Sequence, residues 1–270
     1  MTRILHLTDI HLTAPETEDS HQYADTVATL ERMVGIIAAM TPAPDAVVAS
    51  GDLTNIGDPA SYRLLARMMA GLKMPVLYTL GNHDRREAFF TTFPDHPAGP
   101  EATVDHDAVI GDLHLVLLDS LQPGQVSGGL SPAQLDYAEE MLARHPDLPK
   151  IVAIHHPPRL DPDAPYAWET LDAGTTARLG DLLAGRGVAA VLTGHIHTNR
   201  VTLWRGIPVV STIGQQSGVD ETRARGMTIL EDGGFAICDL LPEGVQVTFS
   251  SLRPRSLIRE LPDDLLSGFS

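Results

Sequence analysis

Five short clusters in this chain carry residues that can bind metal ions or move protons, and each follows an apolar run. They are Asp9-Ile10-His11, Gly51-Asp52, Gly81-Asn82-His83-Asp84, His155-His156-Pro157-Pro158 and Gly194-His195-Ile196-His197. Asp9 and His11 lie two residues apart at the end of an expected strand, so both can reach one ion. Asp52 has two carboxylate oxygens and can bridge two ions. Asn82 offers a neutral carbonyl oxygen, while His155, His195 and His197 offer nitrogens. This mixture suits Fe, Mn, Zn or Co rather than Ca²⁺ or a thiolate-bound ion. The seven ligands exceed what one transition ion takes. They suit two divalent or trivalent ions sharing a carboxylate and a water, which can clamp a phosphoryl group and lower the pKa of that water. The expected nucleophile is then metal-bound hydroxide, and no Ser or Cys is required.

Strand ends must position these residues. Residues 3–8, 46–49 and 74–80 are apolar runs of strand length, each stopping at a cluster. Between them, residues 23–40 and 59–72 carry apolar positions at helical spacing. Thr41-Pro42 closes the first and Pro59 suits the first turn of the second. Strand, helix, strand, helix, strand is a parallel, layered arrangement. In such sheets ligands bind outside the carboxyl ends of the strands. Further on, 108–110 and 113–119 suggest a hairpin, and Ser131-Pro132 starts a helix to about residue 144 with Ser131 as N-cap. Residues 151–154 form a strand into His155, 174–186 a helix, and 188–192 a strand into Gly194. Five short β segments between 201 and 250 close the fold. Residues 85–108 and 157–172 are Pro-containing loops near the site, the first with Phe89, Phe90 and Phe93, the second with Tyr166 and Trp168.

The chain has 270 residues, enough for one large α/β domain over 1–260 with a short tail at 261–270. A net charge of −16 argues against a nucleic-acid polymer as partner, which needs a basic face. A small anionic substrate stays possible because bound divalent ions reverse the local field. The single Cys238 excludes an internal disulfide framework and a Cys-based metal site, and fits a reducing cytoplasm. No apolar run reaches the ~18 residues of a membrane span, and the first residues lack a signal-peptide pattern.

In this order, over residues 9–197, the clusters resemble the motifs of the calcineurin-like metallophosphoesterase superfamily. The His-His-Pro-Pro form and the length look most like bacterial class III cyclic nucleotide phosphodiesterases and glycerophosphodiesterases. The resemblance implies a four-layer αββα sandwich and a dinuclear centre. Asp9, His11 and His197 would hold one metal, Asn82, His155 and His195 the other, and Asp52 would bridge. The family pattern makes His155, not His156, the ligand of that pair. His83 would face the phosphate and stabilise charge or protonate the leaving alkoxide, with Asp84 orienting His83 or capping the next helix. The implied reaction is hydrolysis of a small phosphodiester, either a 3′,5′- or 2′,3′-cyclic nucleotide or a glycerophosphodiester. Alternatives are a phospholipase-C-like or other lipid-linked hydrolase, and a non-catalytic scaffold, which the complete ligand set opposes.

After Gly51-Asp52 this chain has Leu53-Thr54-Asn55, where superfamily protein Ser/Thr phosphatases have Asp-Arg-Gly. That departure argues against a phosphoprotein monoesterase. Asn82, His83, Arg85, Tyr166 and Trp168 are the expected substrate contacts, and Arg86 could also neutralise substrate charge. The three phenylalanines could line an apolar groove. His6 is expected to be a packed core residue, His156 a structural one; His21 and the 214–217 segment could approach the site. A homo-oligomer is expected, with the late β segments as interface.

Overall fold

The computed structural model describes residues 1–22, 24–99, 103–161, 163, 170–220, 222 and 227–253. The chain opens with β1 (Thr2–Leu7), α1 (Thr26–Ala39), β2 (Ala46–Ser50), α2 (Pro59–Met69) and β3 (Val76–Thr79). It continues through α3 (Arg86–Thr92), β4 (His106–Ile110), β5 (Leu113–Leu118), α4 (Pro132–Ala143), β6 (Lys150–Ile154), α5 (Ala173–Leu183) and β7 (Val188–Thr193). It ends with β8 (Arg200–Trp204), β9 (Ile207–Ser211), β10 (Gly218–Val219), β11 (Ile229–Leu230), β12 (Gly234–Leu241) and β13 (Gly244–Ser251).

Two mixed sheets result, in the orders β13-β12-β1-β2-β3 and β4-β5-β6-β7-β9-β8, plus the two-stranded β10-β11. The neighbours β1-β2-β3 and β5-β6-β7-β9 are parallel. Parallel pairs need a crossover, and helices supply most of them. Side chains alternate across each strand. Ile4 of β1 therefore points into the space between the sheets with Ala46, Val48, Leu115, Leu117, Ile151 and Ala153. Leu5 and Leu7 point the other way, onto Leu30, Met33 and Ile37 of α1 and Leu65 of α2. On the far side, Val116, Leu118, Val152 and Ile154 meet Leu135 and Met141 of α4 and Leu179 and Leu183 of α5. Helices, sheet, sheet, helices is the αββα sandwich. Strands covered on both faces explain the continuous apolar runs, and each fully buried aliphatic side chain contributes about 1.5–3 kcal/mol.

The segment 85–108 differs from the expected irregular loop. Phe89, Phe90 and Phe93 fall at i, i+1 and i+4, a helical stripe, and they sit on and just after α3. Phe89 and Phe90 are 0% and 5% exposed. The Phe89 ring lies 5.9 Å from Tyr62 and 6.1 Å from Tyr78. These aromatics build the core under α2 and α3 and line no groove over the site. The expected boundary at residue 260 and the tail 261–270 lie outside the described residues. No helix among the described residues is long and apolar enough to cross a membrane.

Ser131 caps α4 as expected. Its Oγ accepts from Gln134 N at 3.3 Å, and Gln134 Oε1 accepts from Ser131 N at 3.1 Å. Replacing Ser131 with Ala should cost about 1 kcal/mol. A thermal melt should then show Tm lower by about 2–4 °C.

Candidate metal centre

All five clusters leave their strands at one edge. Asp9 and His11 follow β1, Asp52 follows β2, and Asn82 and His83 follow β3; His155 follows β6, and His195 and His197 follow β7. Backbone bonds knit the turns together: Asp9 N donates to Gly51 O (3.0 Å), His11 N to Asp52 O (2.8 Å) and Gly194 N to His155 O (2.9 Å). To aim a side chain back over the sheet edge, the chain must reverse within a residue or two. The backbone does this through left-handed turns: φ is 48° at Asp9, 46° at His11, 47° at Asp52, 69° at His195 and 48° at His197. Each such residue costs roughly 1–3 kcal/mol and persists only where its surroundings enforce it. Asp and His are among the side chains that tolerate this region best.

The donor atoms converge. His197 Nε2 is 3.3 Å from Asp9 Oδ1 and 3.2 Å from His11 Nε2. His11 Nε2 is 3.6 Å from Asp52 Oδ2, and His155 Nε2 is 3.3 Å from the same oxygen. Ligands held at ~2.1 Å around one ion are spaced by roughly 3–3.4 Å, so these separations suit coordination. Asp52 stands between the two groups of histidines, where a bridging carboxylate belongs.

Carbonyl oxygens set the tautomers. His11 Nδ1 donates to Asn55 Oδ1 (2.7 Å), His155 Nδ1 to Ser50 O (2.9 Å) and His197 Nδ1 to Ser217 O (3.0 Å). An oxygen of this kind can only accept, so the proton sits on Nδ1 and the Nε2 lone pair faces the centre. Among the buried side-chain atoms without a hydrogen-bond partner are three at this centre, Asn82 Oδ1, His155 Nε2 and His195 Nε2. Each such orphan costs about 1–3 kcal/mol unless something fills it. They are the three residues expected to hold the second metal, and a cation between them would satisfy all three.

Electrostatics agree with a cation-binding pocket. Burial opposes ionisation of Asp9 and Asp52, yet His197 and His155 hold both carboxyls below the usual range. Burial alone would lower His155, but Asp52 and Asp9 carry it up to about 9, so without an ion a proton on Nε2 answers the two carboxylates, and a bound ion would take that proton's place. Burial, and His155 beside it, push His195 down to about 3, so one ring nitrogen keeps its lone pair.

His83 lies at the rim and is exposed. Its Nδ1 donates to Asn55 O (2.7 Å), its N–H donates to Asp52 Oδ1 (2.9 Å), and its ring stands edge-on to His11 at 4.7 Å. Asp84 is not where expected. It neither touches His83 nor caps α3, whose N-cap is Arg85. Its buried carboxylate accepts from Gly81 N (3.0 Å), Leu53 N (3.1 Å), Thr54 N (3.2 Å) and Tyr62 Oη (2.7 Å). It therefore ties the turns after β2 and β3 to α2, a structural task that sequence spacing did not reveal.

Arg85 is exposed, its stem against Gly57. Arg86 is tied into the fold, pairing with Asp119 at 2.7 Å and donating to Leu121 O at 2.7 Å. Tyr166 and Trp168 lie outside the described residues. His156 is structural, held by Ser120 Oγ (2.7 Å) and Val126 O (2.9 Å). His6 is buried between Thr212 Oγ1 (2.8 Å) and Ser50 Oγ (2.7 Å). The His21 side chain is 77% exposed, on the surface beside Asp19. The 214–217 segment does reach the site: Gln215 N donates to Asp9 O (3.0 Å), and Ser217 O holds His197.

Gly194 is required for space, since a Cβ there would overlap Thr8 Oγ1 and Asp9 Oδ2. Gly194→Ala should weaken metal binding by about 10–100-fold, as loss of ligand support does elsewhere. Metal content after chelator challenge, with circular dichroism as the folding control, checks this.

A family model for calcineurin-like phosphoesterases matches residues 2–199. A cAMP/cGMP dual specificity phosphodiesterase of Mycobacterium tuberculosis (strain CDC 1551 / Oshkosh) is 32% identical over 243 residues, covering 88% of this chain and 74% of that protein. A probable glycerophosphodiester phosphodiesterase of Arcobacter nitrofigilis is 30% identical over 212 residues, covering 77% and 76%. Among solved structures, a dimetal phosphatase from Danio rerio superposes with a TM-score of 0.66 at 15% identity, over 93% of this chain and 99% of that one.

Proposed function

Because this chain belongs to the calcineurin-like phosphoesterase family and is a phosphoric diester hydrolase, we propose that it cleaves a small phosphodiester at a two-metal centre. The proposed substrate is a cyclic nucleotide, 3′,5′ or 2′,3′, or a glycerophosphodiester. The observation that carries the metal reading is the trio of unpartnered buried acceptors, Asn82 Oδ1, His155 Nε2 and His195 Nε2. Asp9, His11 and His197 would hold one ion of Fe, Mn or Zn, the trio would hold the other, and Asp52 would reach both. Bound there, the ions would supply Lewis acidity toward the phosphoryl group and acidify water.

The protein groups then have separate tasks. Asp9 and Asp52 offset the cationic charge, and the carbonyls of Ser50, Asn55 and Ser217 keep the ligand histidines in register. Asn82 would stand next to the phosphate. His83 donates its Nδ1–H to Asn55 O, which leaves Nε2 as the nitrogen for chemistry. Protonated at Nε2, it can give that proton to the leaving alkoxide oxygen as the P–O bond breaks. Arg85, exposed two residues after His83, would neutralise substrate charge.

The relatives support the diester class: one is named for cyclic nucleotides and the other for glycerophosphodiesters. The lipid-linked alternative loses its main support because Phe89 and Phe90 are core residues. The deciding experiment compares kcat/KM for 3′,5′-cyclic AMP and glycerophosphocholine with Mn²⁺ supplied. A clear preference names the class. Failure on both, with an activated aryl diester cleaved well, would overturn both natural substrates. Cytoplasmic residence and a homo-oligomeric state belong to the same proposal, and sedimentation as a monomer only would refute the second.

A further inference from the structure

Asn55 follows Asp52 by three residues and lies outside the expected ligand set, yet two of its atoms hold histidines of the centre and a third holds Asp19. The residue is 5% exposed. Its Oδ1 is 2.7 Å from His11 Nδ1, and its main-chain oxygen is 2.7 Å from His83 Nδ1. Its Nδ2 donates to Asp19 Oδ2. Asp19 lies in the polar loop after β1, but its side chain is only 2% exposed. Its other oxygen accepts from His21 N at 2.9 Å. A carboxylate drawn out of water in a surface loop is costly unless its bonds serve to hold it.

We propose that Asp19 and Asn55 form a positioning relay that dictates which nitrogen of His11 faces the metal centre. The inference rests on the proposed reading of His11 as a metal ligand. The logic follows from which atoms can donate. A carboxylate accepts only, so it takes the amide N–H and turns the amide oxygen of Asn55 toward His11. That oxygen accepts only, so the imidazole proton stays on Nδ1. Nε2 then keeps its lone pair, 3.2 Å from His197 Nε2 and 3.6 Å from Asp52 Oδ2. Without Asp19 the Asn55 amide is free to turn over, presenting N–H to His11. The proton would then move to Nε2 and block coordination. Relays from a carboxylate to a ligand histidine commonly raise metal affinity by 10–100-fold. The same Asn55 holds the His83 ring through its main chain, so one residue registers a ligand and the proton donor together.

The test uses the full chain, with Mn²⁺ alone as probe. Affinity is measured by chelator competition for wild type, His11→Ala, Asp19→Ala and Asn55→Leu. His11→Ala tests the underlying reading: it should lose one of two bound ions, and retention of both would overturn the ligand assignment itself. If His11→Ala behaves so, Asp19→Ala should bind one ion about 10–100-fold more weakly. Its kcat should return at saturating Mn²⁺ with KM unchanged, a rescue that general loss of structure would not allow. Histidine ¹⁵N spectra of the metal-free protein give a second readout: His11 should carry its proton on Nδ1 in wild type and populate the Nε2–H form in Asp19→Ala. Wild-type Mn²⁺ affinity and an unchanged His11 tautomer in Asp19→Ala would overturn the relay. Asp19 lies in a loop, so this variant keeps the test sound even if Asn55→Leu fails to fold.

Discussion

Asn82→Ala should lower kcat/KM on a phosphodiester by about 10²–10³-fold while leaving the metal-free fold intact. A metal ion supplies several kcal/mol of charge stabilisation in such reactions, and each 1.36 kcal/mol is tenfold in rate, so loss of about 3–4 kcal/mol gives that range. The stability effect should have the opposite sign. Asn82 Oδ1 is a buried acceptor without a partner, so its removal relieves the metal-free protein of about 1 kcal/mol or more. Metal analysis should show one ion fewer than the two expected for wild type, and the melting temperature of metal-free protein should be unchanged or raised. Full turnover in this variant would sink the assignment of Asn82, His155 and His195. A scaffold that had lost catalysis would show no turnover to lose.

The second large effect is expected at His83. His83→Ala should cost about 10²–10⁴-fold with an alkoxide leaving group, the usual worth of general acid catalysis. The loss should shrink sharply on an activated aryl diester, whose phenolate leaves without a proton. Metal content should hold, because the His83 ring is tied to Asn55 O and stands at the exposed rim. Equal losses on both substrates would instead mean that His83 stabilises phosphate charge. Loss of an ion would mean that it shapes the centre, consistent with its place beside His11 and Asp52.

Much of the architecture was legible because it depends on local patterning. The alternating strand and helix signals through residue 84 correspond to β1, α1, β2, α2 and β3. The apolar runs marked strands buried on both faces. The short α3 leaves little trace in the sequence, since seven residues carry too few turns for periodicity to stand out. Its phenylalanines were then free to be misread as a groove. Asp84 and Arg86 were equally open to misreading: a carboxylate and a guanidinium beside a candidate site look functional until their partners are known. Those partners, Tyr62 and Asp119, lie 22 and 33 residues away.

What the sequence by itself determined was which side chains of ligand type follow the strands, and their order. Asp9, His11, Asp52, Asn82, His155, His195 and His197 all follow apolar strands, and ligand type is a property of the side chain alone. Tertiary structure decided how those side chains are aimed. The choice of nitrogen at His155 is made by Ser50, 105 residues earlier, and at His11 by Asn55, 44 residues later. Asp19 reaches Asn55 only because the loop after β1 folds onto the turn after β2. A hydrogen bond reads distance in space and is blind to distance along the chain, so the atoms that orient a ligand become visible only once the sheets have packed.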